Sequence, residues 1–186
     1  MRRNRVCPVS LAGTLDSGLR RFLQNPRRVL EPYVKEGMKV LDFGCGPGFF
    51  TVEIAKRVGG SGSVIAADLQ DGMLDILKEK IKGTDIESRI TLHKSGERSV
   101  GVPQRVDLVF AFYVMHELEE SSAFLREFQS ALAPKGMLYI AEPKAHVSKR
   151  DFRNTIREAE ESGFSLVSDS TKLMTREAVF EVTAAG

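Results

Sequence analysis

The chain is poor in cysteine. Its 186 residues hold only Cys7 and Cys45, too few for a disulfide framework or a Cys-rich zinc site, and no metal-ligand set is expected. Long apolar runs are missing too: none approaches the roughly 18 residues needed to span a bilayer. The opening Met1-Arg2-Arg3-Asn4-Arg5 is basic, but no apolar segment follows it, so a secretory signal is not expected. These absences together point to a cytoplasmic protein. Internal repeats, low-complexity tracts and linkers are also lacking, and the length suits one domain able to bury a real core. With 42% hydrophobic and 28% charged residues, the balance is that of a soluble globular fold.

The net charge of +2 hides an asymmetry. Of 27 basic residues, eight fall within positions 1–35, against two of the 25 acids, leaving 19 basic and 23 acidic residues beyond. A basic arm on a mildly acidic body could meet nucleic acid, anionic lipid or an anionic substrate, or be a solvated helical face. Residues 1–35, punctuated by Pro8, Gly13, Pro26 and Pro32, are expected to form a helical cap or lid on a core spanning 36–186. The apolar face of Leu19, Phe22 and Leu23 must be buried somewhere.

From Lys39 onward, short apolar runs alternate with amphipathic stretches. Strands are predicted at Lys39–Phe43, Ser63–Asp68, Arg89–His93, Val106–Tyr113 and Met137–Glu142, with a helix-free pair at Phe164–Ser168 and Arg176–Val182. Helices are predicted where Phe50, Ile54 and Val58 share a face, and again along Met73, Leu77 and Ile81. A third carries Phe124, Phe128 and Leu132 and closes at the turn Pro134-Lys135-Gly136; a fourth carries Phe152, Ile156 and Ala159. Asp71 is the expected cap of the second helix, and Ser121 or Ser122 that of the third. Alternation implies a parallel sheet with helices on both faces, and the final pair implies one antiparallel partner at its edge.

The most informative segment is Val40-Leu41-Asp42-Phe43-Gly44-Cys45-Gly46-Pro47-Gly48-Phe49. Alternate glycines directly after a strand bring backbone close to a ligand, and the following helix points free N–H groups into the same space. Asp68 ends the next strand, where a carboxylate can accept both hydroxyl hydrogens of a ribose. A ligand-free tight turn is the alternative. Dinucleotide spacing, G-x-G-x-x-G, would need Gly or Ala at position 49, which is Phe49.

This G-x-G-x-G segment resembles motif I of class I S-adenosylmethionine (SAM)-dependent methyltransferases, and Val64–Leu69 resembles their acidic motif II. The resemblance covers roughly residues 37–143 by motif and the rest by element order, and Glu142-Pro143 after strand 5 is more similar to the broad small-molecule branch that includes quinone-biosynthesis enzymes. It implies a Rossmann-like three-layer α/β/α sandwich with strand order 3-2-1-4-5-7-6 and strand 7 antiparallel. It implies that Gly44, Cys45, Gly46 and Gly48 line SAM, that Asp42 orients the loop and the ligand's ammonium group, that Asp68 holds the ribose, and that Leu69 packs on the adenine. Relatives often place a Gly-Asp pair after strand 3. Here the segment is Lys94-Ser95-Gly96-Glu97-Arg98, so Ser95, Gly96 and Glu97 stand in for it. Phe112, near the end of strand 4, is assigned to the cofactor side.

Acceptor-side residues in that family follow strand 4, here Ala111-Phe112-Tyr113-Val114-Met115-His116-Glu117. Tyr113 can offer a hydroxyl, and His116 is the best candidate base; a structural hydrogen bond at a helix start is the plainer account of it. His146 is a weaker candidate, and His93 reads as structural. Cys7 reads as an inert thiol, with a lid residue or a soft metal or metalloid ligand as the alternative. No Asp/Asn-Pro-Pro-aromatic motif and no Pro-Cys nucleophile follow strand 4, which favours a small-molecule acceptor over nucleic acid. An RNA or protein methyltransferase using the basic arm, and a SAM-binding module without catalysis, remain as alternatives.

Overall fold

In the computed structural model, which describes residues 24–102 and 104–183, the predicted alternation of strand and helix is present in two units. They comprise residues 1–95 and 96–186. Cys7 and the apolar face of Leu19, Phe22 and Leu23 lie outside the described residues.

In the first unit, Asn25 Oδ1 accepts the Arg27 N–H at 3.1 Å and starts helix α1 (Pro26–Leu30), with proline at the position where a missing N–H is harmless. Leu30 and Val34 are buried, while Arg27 pairs with Glu53 and receives an Arg57 hydrogen bond on its carbonyl. Strands β1 (Lys39–Phe43), β2 (Ser63–Asp68) and β3 (Ile90–Lys94) run parallel in the order β3-β2-β1. Every residue of β1 and β2 after the first is buried, the pattern of strands covered on both faces. Helix α2 (Thr51–Val58) buries Ile54, Ala55 and Val58, and α3 (Asp71–Ile81) buries Met73, Leu77 and Ile81. Asp71 is not the cap of α3: Gln70 holds that position without a side-chain bond, and Asp71 pairs with Lys94 at 2.7 Å.

The second unit contains β4 (Val106–Phe112), α4 (Ser121–Ala131), β5 (Leu132–Pro143), α5 (Lys149–Glu161), β6 (Phe164–Thr171) and β7 (Thr175–Val182). Phe110 stacks on Tyr139 at 4.9 Å, and both are fully buried with Phe124, Phe128 and Phe180. Strand β4 pairs parallel with β5, and β7 pairs antiparallel with both β5 and β6. The antiparallel strand thus lies inside the sheet rather than at its edge. The seven strands follow the order 3-2-1-4-5-7-6, a Rossmann-like sheet with helices packed around it.

Two local expectations fail here. Neither Ser121 nor Ser122 caps α4: Glu120 precedes it, and the Ser121 hydroxyl donates to Glu158 at 2.5 Å. Pro134-Lys135-Gly136 does not close a helix but lies within β5, where Lys135 adopts φ 64° and the β4 register shifts. Pairing of Leu132 with Val106 draws that turn into the strand as an irregularity.

Candidate functional site

The glycine turn is built on backbone. The N–H groups of Gly44 and Cys45 both donate to the Ala67 carbonyl, at 2.8 and 3.0 Å, fixing the turn to the end of β2. The Gly46 N–H donates to Asp68 Oδ2 at 2.9 Å, and the Gln70 N–H to Oδ1 at 2.8 Å. Burial raises the Asp68 carboxyl above its ordinary value, and these N–H groups, with Lys94, pull it back toward ionisation.

Gly44, Gly46 and Gly48 all have positive φ, but the last two are glycine for different reasons. A Cβ on Gly48 would lie 2.3 Å from Leu77 Cδ1, so this position is closed by packing on α3. A Cβ on Gly46 would meet nothing within 4 Å. The backbone face of Gly46 opens on space that none of the described residues fills within 4 Å of that Cβ.

Asp42 is buried and accepts the Thr51 hydroxyl on Oδ2 at 2.6 Å, joining the end of β1 to the start of α2. Burial pushes its carboxyl from 3.8 up to about 7, against the Thr51 bond and with help from the Asp68 charge. Cys45 is also buried, its thiol directed to the Gly46 carbonyl at 3.5 Å. Burial first, then Asp42 and Asp68, hold that thiol in its neutral form. Leu69 is half-buried, its carbonyl accepting Lys94 Nζ at 2.5 Å. Ser95 is buried, with its N–H on the Asp68 carbonyl at 3.0 Å. The first unit therefore brings Asp42, the three glycines, Cys45, Asp68, Leu69 and Ser95 around one turn.

The other candidates belong to the second unit. Gly96 and Glu97 are exposed, and the Gly96 N–H closes a turn on the Ser99 carbonyl at 2.8 Å. Phe112 is buried, its ring 4.3 Å from that of Tyr113. Tyr113 takes φ 62°, an uncommon conformation for a bulky side chain. Its hydroxyl is engaged by Thr175 Oγ1 at 2.6 Å.

His116 lies in a short 3-10 turn, Met115–Glu117. Its backbone N–H donates to Glu142 Oε1 at 3.2 Å, and its ring Nδ1 lies 2.5 Å from Oε2. Burial alone would lower the imidazole; the bond to Glu142 and its charge, with Glu117, outweigh that and raise it. His146 is exposed, its ring edge-on to His116 at 5.6 Å. Glu142 opposes Arg176 across the β5–β7 pair and Pro143 opposes Thr175, so Arg176 and Thr175 point to opposite faces. Tyr113 and His116 are thus tied to different faces of that ribbon. Glu142, read from the sequence only as part of a family marker, is the partner of His116 that sequence reasoning did not assign. The available signal was an acid at the carboxyl end of an otherwise apolar central strand. His93 lies in β3. Among the described residues no three His, Cys, Asp or Glu side chains are grouped as a metal set.

A family model described as "Methyltransferase domain" matches residues 34–178. The chain is 32% identical over 144 residues to a demethylmenaquinone methyltransferase of Lactobacillus johnsonii, covering 76% of this chain and 56% of that one. It is 30% identical over 110 residues to a ubiquinone/menaquinone biosynthesis C-methyltransferase of Pasteurella multocida, covering 59% of this chain and 41% of that one. The chain spans about half the length of these curated relatives. Among solved structures, a SAM-dependent methyltransferase from Aquifex aeolicus superposes with a TM-score of 0.87 at 26% identity, covering 96% of this chain and all of that one.

Proposed function

This chain belongs to the SAM-dependent methyltransferase family, and from that premise we propose that it transfers the methyl group of SAM to a small organic acceptor. The observation that carries the reading is Gly46. Its left-handed φ, its N–H held by Asp68 and the open space beside it leave backbone where a ligand can lie against it. The donor set suits the cofactor chemically. Asp42 and Asp68 are carboxylates for an ammonium group and a ribose diol, and half-buried Leu69 offers apolar surface to an adenine.

When bound, SAM supplies a methyl group on a sulfonium, a good leaving group. The protein's task is to align nucleophile, methyl carbon and sulfur for in-line displacement and to exclude water. The first unit carries the groups to hold the cofactor, and the second carries a histidine able to take a proton. Named relatives act on quinone precursors, so aromatic hydroxylated rings are the first acceptors to try. A small acceptor is favoured over nucleic acid because no nucleobase-methylation motif follows β4. We place the reaction in the cytoplasm, where a free buried thiol such as Cys45 is ordinary. No helix among the described residues is long and apolar enough to cross a membrane.

Calorimetry of the whole chain with SAM, S-adenosylhomocysteine and NAD tests the cofactor. Binding of the first two and none of NAD is expected, and tighter binding of NAD than of SAM overturns it. A panel of phenols, quinols, thiols, amines and metalloids with labelled SAM then tests transfer. SAM binding without turnover on any of them would favour a non-catalytic module.

A further inference from the structure

Glu142 is an acid whose side chain is only 1% exposed, a position where an unpaired charge is costly. Both its oxygens are taken by one residue 26 positions earlier, His116, through backbone N–H and ring Nδ1. That grip selects a tautomer. With Nδ1–H donating to the carboxylate, the neutral ring carries its lone pair on Nε2. Among the described residues Nε2 makes no hydrogen bond, and the His116 side chain is 22% exposed.

The charged and titratable groups around the ring come from every neighbouring segment. Glu142 lies on β5, Glu117 on the same 3-10 turn and His146 just beyond β5. Arg176 lies opposite Glu142 on β7, with its Nη1 donating to the Val147 carbonyl at 2.7 Å. A partly exposed ring with one nitrogen clamped by a buried acid and the other left without a hydrogen bond among the described residues has the organisation of a positioned base.

We propose that His116 Nε2 accepts the proton of a phenolic hydroxyl on the methyl acceptor, with Glu142 as its positioning residue. The proposal rests on the methyl-transfer reading above. The O–H proton passes to Nε2, and the electron pair it leaves forms the new bond to the methyl carbon. That bond forms at the oxygen or, through the ring, at the adjacent carbon, which then releases its own hydrogen to water. The S–CH3 bond breaks as the new bond forms, and its electron pair stays on sulfur. Thiolates, neutral amines and trivalent metalloids carry their nucleophilic pair already and need no such base. A clamped imidazole is superfluous for them, and this selects the hydroxyl class.

The test uses the full chain, labelled SAM, and a phenol and aryl thiol sharing one ring skeleton. Wild type is expected to methylate the phenol. His116→Asn should lower phenol kcat by about 100-fold or more while leaving the SAM Kd within about threefold of wild type. Glu142→Gln keeps the shape but removes the charge. It should lower kcat by about tenfold with KM unchanged, and move the rising limb of the kcat/KM profile to lower pH, with partial recovery in Glu142→Asp. A purely structural Glu142 would leave that limb in place. Should Glu142→Gln fail to fold, His116→Asn, a change at a partly exposed ring, decides the question alone.

Three results overturn the proposal: phenol turnover by His116→Asn close to wild type, an unmoved limb in Glu142→Gln, or wild type that methylates the thiol alone. Failure of wild type to bind SAM in parallel calorimetry overturns the methyl-transfer reading instead.

Discussion

The glycine turn and the His116 turn solve opposite problems. Around Gly46 the working groups are backbone: N–H donors fix Asp68, and a missing side chain leaves the space open. Around His116 the working groups are side chains, and the geometry comes from a buried acid on another element. Backbone sites announce themselves, because glycine adopts the conformations they need without the steric cost other residues meet. Side-chain pairs do not, because nothing in the local sequence says which acid a histidine will meet.

The sharpest way to break the comparison is to exchange the reasons for two glycines in one turn. Gly46→Val and Gly48→Ala both place a side chain at positive φ, at about 1–2 kcal/mol each. Only the second also collides with the protein, since its Cβ would fall on Leu77, adding about 1–3 kcal/mol of overpacking. Gly46→Val should therefore lose SAM binding by about 100-fold or more while melting cooperatively near wild type. Gly48→Ala should show the larger fall in Tm. Calorimetry and thermal melts on both variants check this, and equal Tm losses with SAM binding intact in Gly46→Val would dissolve the distinction.

The same contrast governs what could be foreseen. Strands β1 and β2 matched their predicted bounds at both ends, because apolar β-branched runs stop there at glycine or a polar turn. The start of β5 did not: Pro134-Lys135-Gly136 has the composition of a helix-ending turn. It was overridden by pairing of Leu132 with Val106, a partner 26 residues away. The bond between His116 and Glu142 was hidden for the same reason. The first turn of α4 also misled, since Ser121 looks like a cap but spends its hydroxyl on Glu158 of α5. Local chemistry was legible, and long-range choices among equally plausible partners were not.

A smaller effect sharpens the electrostatic side of the glycine turn. Asp42, raised to about 7 by burial, is mostly protonated below neutrality. An acid with a raised folded value contributes stability fully present below pH 3.8 and lost as pH climbs through about 7. An ammonium group beside it would favour the ionised form, so binding below neutrality must release a proton. SAM affinity should rise between about pH 6 and pH 7.5, then level off, with a slope of at most one proton. Calorimetry in buffers of different ionisation enthalpy counts that proton. Asp42→Asn should flatten the profile. A wild-type profile already flat over this range would show that no cation of the ligand approaches Asp42.

The smallest effect belongs to Cys45, which lies in the middle of the turn and has the most reactive side chain there. Reactivity requires the thiolate, and every strong influence on Cys45 opposes it. Burial comes first, and the acids Asp42 and Asp68 add to it, with only minor help for the thiolate from its own backbone and Lys80. A small neutral side chain is all the position demands. Cys45→Ala should change the SAM Kd by less than about threefold and Tm by a few degrees at most, the loss of one small buried group. In the native protein Cys45 should resist iodoacetamide at about pH 8, where an exposed thiol of ordinary pKa is partly ionised. It should react once the chain is unfolded in urea. Mass spectrometry after timed alkylation resolves the two cysteines by peptide. Rapid labelling of Cys45 in the folded chain, blocked by SAM, would mean that the turn opens on its own. The glycine site would then owe its geometry to the ligand rather than to the backbone bonds that hold it here.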